Sequence, residues 1–241
     1  MKKRNILGKF ITMLIIPALL FASSSPIFAE EERIEIPNEV LESLNAMDYS
    51  NAYYIAENAG VYDSNMSEIE LQNYFVKLYI DIYESTRNVD TRGYLPESVY
   101  DLNAEEKKLV GSHPDEAAIV YMCSSLAIKA TIAEYGDNRG DDNSDAFRHT
   151  FWNAVMTTQF GGRSQPFNVT GGRNRANVWA TAHEAESSGL SKTMDLFNNN
   201  LGRMSITRKM STNEIQSMIR SKIKNGSAKI IVNGKLVASN D

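Results

Sequence analysis

Three short polar stretches interrupt an otherwise helix-patterned sequence, and each carries groups that can ligate a metal or move a proton. The first is Asp145-Ala-Phe-Arg-His-Thr-Phe-Trp-Asn153. On a helix, Asp145, His149 and Asn153 recur at i, i+4 and i+8, so one face presents an acid, an imidazole and an amide in a row. Phe147, Phe151 and Ala154 fall on the opposite side, while Trp152 and Met156 flank the row. A polar stripe edged by large apolar residues is expected to be buried, and buried polar groups need partners from other elements. Two further stretches can supply them. Trp179-Ala-Thr-Ala-His183-Glu184 offers an imidazole and an acid, and Met194-Asp-Leu-Phe-Asn-Asn-Asn-Leu-Gly-Arg203 pairs Asp195 with Asn199 at i, i+4.

These residue types suit a hydrolytic site. His149 and His183 are candidate metal ligands or general bases, with Asp145 and Glu184 as acid–base partners and Asp195 as a further ligand. The metal set read this way is His149, His183 and Asp195. Zinc is the first metal expected where His mixes with carboxylates, while oxygen-rich ligation would turn preference towards manganese or calcium. Asn153, Asn198 and Asn199 would orient substrate, and Arg148 or Arg203 would counter developing negative charge. A metal-free His–acid pair is the other enzymatic form. The rival from a different class is a secreted binding or interaction module whose polar row only fixes helix packing. A single helical His is more often structural; two of the three histidines lying in such stretches favours a site. His113, next to Pro114 in a turn, is read as a bystander.

Familiar site grammars are absent. His183-Glu184 does not open an H-E-x-x-H helix, because position 187 is serine. The Asp141–Asp145 run lacks the glycine and distal glutamate of a calcium loop, and there is no nucleophile elbow or phosphate loop. The string Asp145–Asn153, the triplet Ala182-His-Glu184 and Met194–Asn199 with Gly202-Arg203 together resemble an uncharacterised bacterial domain family found in secreted, wall-associated and Rhs-type proteins. The resemblance covers about 102 to 240. It implies a compact helical domain in an extracellular setting and, from the modular contexts, a toxin-like effector as one more alternative. It brings no activity with it.

Behind these stretches the chain reads as mostly α. A helical pattern spans Pro37 to Gly60, and Ser67-x-x-Glu70 opens an amphipathic helix to about residue 86. Residues 89–101 read as a connector. Asn103 is a good cap for a short helix, and Pro114 with Asp115 and Glu116 opens a long apolar one to Tyr135. Helices are expected at about 145–160, 174–187 and 191–201, then from Ser211-x-x-Glu214 to Lys224. Gly161-Gly162 and Gly171-Gly172 are read as helix ends. Asn233-Gly234 between two apolar runs signals a terminal β-hairpin. The expected layout is an N-terminal helical segment over 30–100 and a helical domain over 101–241 that carries the motifs.

Residues 1–29 divide as a secretory signal does: Lys2, Lys3 and Arg4, an apolar stretch from Ile11 to Ala22, then a small-residue boundary at Ala29. The apolar stretch is short for a bilayer span, so a cleaved chain without a stable membrane segment is expected, secreted or associated with the cell wall. Cleavage removes four basic residues and no acids, which takes the formal charge from −5 to −9. A net acidic protein is a poor match for nucleic acid or anionic lipid. Arg163, Arg173 and Arg175 are the one candidate basic patch. The single cysteine, Cys123, lies on an apolar face and is read as a structural thiol. Partners are expected to be envelope or extracellular substrates; oligomeric state is not legible.

Overall fold

A computed structural model describes residues 32–87 and 101–240. The expected signal sequence over 1–29 and the 89–100 part of the expected connector lie outside them. The helices start where the sequence supplies caps. Asn45 and Asp48 form a reciprocal capping box that opens α2 (Ala46–Asn58), and this box also ends α1 (Asn38–Ser43). The pattern from Pro37 to Gly60 is therefore two helices, because a cap placed inside an apolar run breaks it. A 3-10 turn, Val61–Asp63, leads to α3 (Glu68–Arg87), where Ser67 and Glu70 again exchange hydrogen bonds.

Asn103 and Glu106 box the start of α4 (Ala104–Ser112). Pro114 occupies the first turn of α5 (Pro114–Tyr135), and Gly136 ends it in the left-handed region at φ 78°. Asp142 accepts from Ser144 N and Asp145 N to open α6 (Asn143–Gly162). Asn168 caps α7 (Val169–His183), which starts and stops a few residues earlier than the expected 174–187. Then come α8 (Gly189–Ser205) and α9 (Thr212–Lys224), the latter opened by the Ser211–Glu214 box. The antiparallel strands β1 (Lys229–Val232) and β2 (Lys235–Ala238) turn through Asn233 and Gly234, both at positive φ. The fold is mostly α with a small C-terminal hairpin, as the pattern implied.

Helix α6 is the axle. It packs against α5, α7, α8 and α9, and it is buried nearly all round, with Phe147 stacked on Phe151 and Trp152 Nε1 donating to the Val120 carbonyl. Helix α5 is apolar and long enough to cross a membrane by length and composition. Here Ala117, Val120, Tyr121 and Cys123 are buried in the core, where α5 packs against α2 and α6. Burial pushes the Cys123 thiol up, as suits a structural role.

Two glycines set how close the neighbours of α6 can come. A Cβ on Gly202 of α8 would sit 2.1 Å from the Thr150 carbonyl oxygen, and one on Gly172 of α7 would sit 2.3 Å from that of Thr157. Backbone-to-backbone approach at these points draws three helices tightly together, so the polar stretches face one another. The Arg163, Arg173 and Arg175 guanidinium groups are each engaged by the protein itself, although Arg175 Nε has no partner among the described residues. Arg163 pairs with Asp115, Arg175 with Glu116, and Arg173 donates to carbonyls of Arg203 and Ile206.

Candidate metal centre and cleft

The three polar stretches converge on His149. Its Nδ1 lies 3.2 Å from Asn199 Oδ1 and 3.5 Å from Glu184 Oε1. Its Nε2 lies 3.3 Å from Asp145 Oδ1 and 3.6 Å from Asp195 Oδ1. Asp145, His149 and Asp195 each offer one ligand atom, all within 4.8 Å of one another and all buried. Ligands about 2.0–2.2 Å from a tetrahedral centre stand roughly 3.3–3.6 Å apart, so this group could hold a metal ion. The Nδ1 contacts match the outer-shell hydrogen bond that normally fixes a ligating imidazole.

Asp195 Oδ1 is buried and has no hydrogen-bond partner among the described residues. An ionised oxygen left in that state is costly, and a cation is one remedy. Burial pushes the Asp195 carboxyl up to about 6; Asp145 and Glu184 add to the effect and His149 opposes it. Asp145 is shifted the other way. Burial works against its charge, but the hydrogen bond from His149, the charges of His149 and Arg148, and the Asp141 N–H hold it below the usual carboxylate range. For His149, burial disfavours the imidazolium, yet Asp145 and Asp195 outweigh it and raise the group.

Behind His149 the amides lock together. Asn199 Oδ1 accepts from Asn153 Nδ2 at 2.6 Å, and Asn153 Oδ1 accepts from Arg203 Nη1 at 2.7 Å. Asn199 Nδ2 reaches Glu184 Oε1 at 3.4 Å, and Ser187 Oγ donates to Glu184 Oε2 at 2.9 Å. Asn153, Asn199, Arg203 and Glu184 are thus taken up by one another in a buried layer, and burial lowers Arg203 to about 10. The sequence assigned Asn153, Asn199 and Arg203 to substrate; here their side chains bond one another on the Nδ1 side of His149. Asn198, also assigned to substrate, faces another way. Its side chain donates to the Lys229 carbonyl at 2.8 Å and accepts from Lys229 N at 2.9 Å, which pins the hairpin to α8 instead.

On the other side of His149 lies a cleft of about 320 Å³, bordered by Arg139, Arg148, His149, Trp152, His183 and Glu106 among others. His183 is not in the metal group; Asp145 takes the place that the sequence assigned to it. The two imidazole rings are 6.2 Å apart, and His183 packs edge-on to Trp152. Its Nδ1 meets Glu106 Oε1 at 3.0 Å, and its side chain is 46% exposed, which leaves Nε2 available to a bound molecule. Such a carboxylate–imidazole pair can relay a proton at the edge of the cleft.

Glu106 escaped the sequence reading. Its Oε2 closes the α4 capping box at Asn103 N, which leaves Oε1 for a second partner. Asn103 was legible as a cap, but its second task was not: Nδ2 donates to the Ala182 and His183 carbonyls and fastens the end of α7 beside α4. His113, hydrogen-bonded to Ser112 Oγ, does not border this cleft.

A family model described as a domain of unknown function (DUF6973) matches residues 107–229, just over half of the chain, and spans all three polar stretches; the chain belongs to that family. No curated protein and no solved structure matches the chain.

Proposed function

We propose that this member of the DUF6973 family is an exported, metal-dependent hydrolase that acts on an envelope or extracellular substrate. The metal seat is Asp145, His149 and Asp195, and zinc is the first expectation for one imidazole with two carboxylates. One observation supports the reading: Asp195 Oδ1 is buried without a hydrogen bond among the described residues and stands 3.6 Å from His149 Nε2, beside a second carboxylate. A metal there would supply Lewis acidity and a more acidic bound water. The protein's own contribution is positional. Asn199 and Glu184 hold the Nδ1 side of His149, while Asn153 and Arg203 hold Asn199 in turn. His183, backed by Glu106, is the cleft-side group that takes a proton from attacking water or returns one to the leaving group.

Export rests on the charged start, the apolar stretch and the Ala29 boundary. The second reading, a non-catalytic module with an architectural network, draws on the closed Asn153–Asn199–Arg203 layer. Metal analysis with His149→Ala separates them. The hydrolase reading expects a divalent ion in the wild type and a folded variant that has lost it. An ion-free wild type, with the variant losing stability by about 1–3 kcal/mol per orphaned partner, establishes the architectural reading.

A further inference from the structure

Arg148 stands beside both atoms that a metal at this cluster would use. Its Nη2 donates to Asp145 Oδ1, the oxygen that faces His149 Nε2 at 3.3 Å. The same Nη2 lies 3.5 Å from Nε2 itself. A divalent ion bound to those two atoms would meet a full positive charge within a few ångströms. Even at a surface-like dielectric such a repulsion is worth more than thermal energy. Metal and guanidinium therefore compete for Asp145.

The side chain is equipped to give way. It is 23% exposed, it borders the cleft, and its other partners are uncharged oxygens: Asn138 Oδ1 at 2.5 Å and the Arg139 carbonyl at 3.2 Å. Asp145 would keep the hydrogen bond from Asp141 N at 2.6 Å after Arg148 leaves, so its carboxylate stays oriented. A released guanidinium next to a divalent ion forms a doubly cationic corner, and its planar fork suits two oxygens of one anionic group. Two acids border the cleft: Glu106, already engaged by His183 and by Asn103 N, and Asp101, whose exposed position leaves its charge to water.

We propose that metal entry displaces Arg148 from Asp145 into the cleft, where guanidinium and metal together bind an oxyanion, a phosphate or carboxylate group of the substrate. The inference rests on the metal reading above and names the substrate class that it leaves open. It also makes oxyanion binding conditional on metal loading.

Titration calorimetry on the full mature chain tests it with three probes: zinc alone, then inorganic phosphate and acetate on desalted metal-free and zinc-loaded protein. The wild type should bind phosphate or acetate on the order of tenfold more tightly when loaded, and whichever anion gains identifies the group. Arg148→Gln should bind zinc on the order of tenfold more tightly than the wild type and lose the gain in anion affinity. Equal anion affinity in metal-free and loaded wild type would overturn the proposal, and this arm needs no variant to fold. Unchanged zinc affinity in a folded Arg148→Gln would overturn it equally. Absence of zinc binding in both proteins is a separate outcome: it removes the metal reading and this inference together.

Discussion

Asp195 is the residue on which the competing demands of the site meet. It is buried near Asp145 and Glu184, and in the metal-free protein its carboxyl is held at about 6, above its ordinary value. A folded-state value above the unfolded one means that the stabilising, protonated form is complete below about pH 4 and is lost as pH rises through about 6. Metal-free wild type should therefore lose stability relative to Asp195→Asn between about pH 4 and 7, and at pH 7 the variant should be more stable by on the order of 1–2 kcal/mol after solvent screening. Chemical denaturation of both proteins in chelator checks this; a variant less stable than wild type at pH 7 contradicts it. The acid was legible in the sequence as an i, i+4 partner of Asn199. Its lack of a hydrogen bond was not, because an orphan oxygen is defined by everything around it. The same reason hid Glu106, whose cap role accounts for one carboxylate oxygen while the other reaches His183 from 77 residues away.

At the scale of elements, the site depends on how closely α8 lies on α6. Gly202→Ala would drive a Cβ into the Thr150 carbonyl oxygen, 2.1 Å away, and neither backbone can yield without moving the helix. The variant should be destabilised by about 1–3 kcal/mol and should bind metal more weakly, because α8 carries Asp195 and Asn199. A Gly202→Ala protein with wild-type melting and metal affinity would show that the close approach is dispensable. Asn198 gives the contrasting case on the same helix. Asn198→Ala removes two hydrogen bonds to Lys229 and should cost about 1–3 kcal/mol while leaving metal content intact. Element boundaries were readable where side chain and backbone signal locally, as at Ser67, Asn103, Pro114, Ser211 and Asn233-Gly234. They were misread where a cap sits inside an apolar run, at Asn45. The division of labour between Asn198 and Asn199 was beyond local reading, since adjacent residues on one helix face different neighbours: the hairpin for one, α6 for the other.

For the whole molecule, the sequence conveyed the helical class and the convergence of three stretches, because apolar periodicity and caps are local and repeated. It could not specify which further side chain completes the His149 group; His183 and Asp145 can both ligate a metal, and the choice emerges only when α4 brings Glu106 to His183. Export is a claim at this scale too. N-terminal sequencing of material from the culture medium should begin at Glu30 or within a residue or two, and Met1 intact on extracellular or membrane-bound protein would contradict it. The central claim, a metal held by Asp145, His149 and Asp195, is tested most directly by elemental analysis of the mature protein after exposure to zinc and desalting, beside Asp195→Asn. The account predicts about one zinc per wild-type chain and a folded variant that retains essentially none. A folded wild type that carries no zinc, manganese or calcium, or an Asp195→Asn protein that keeps the full complement, would contradict it.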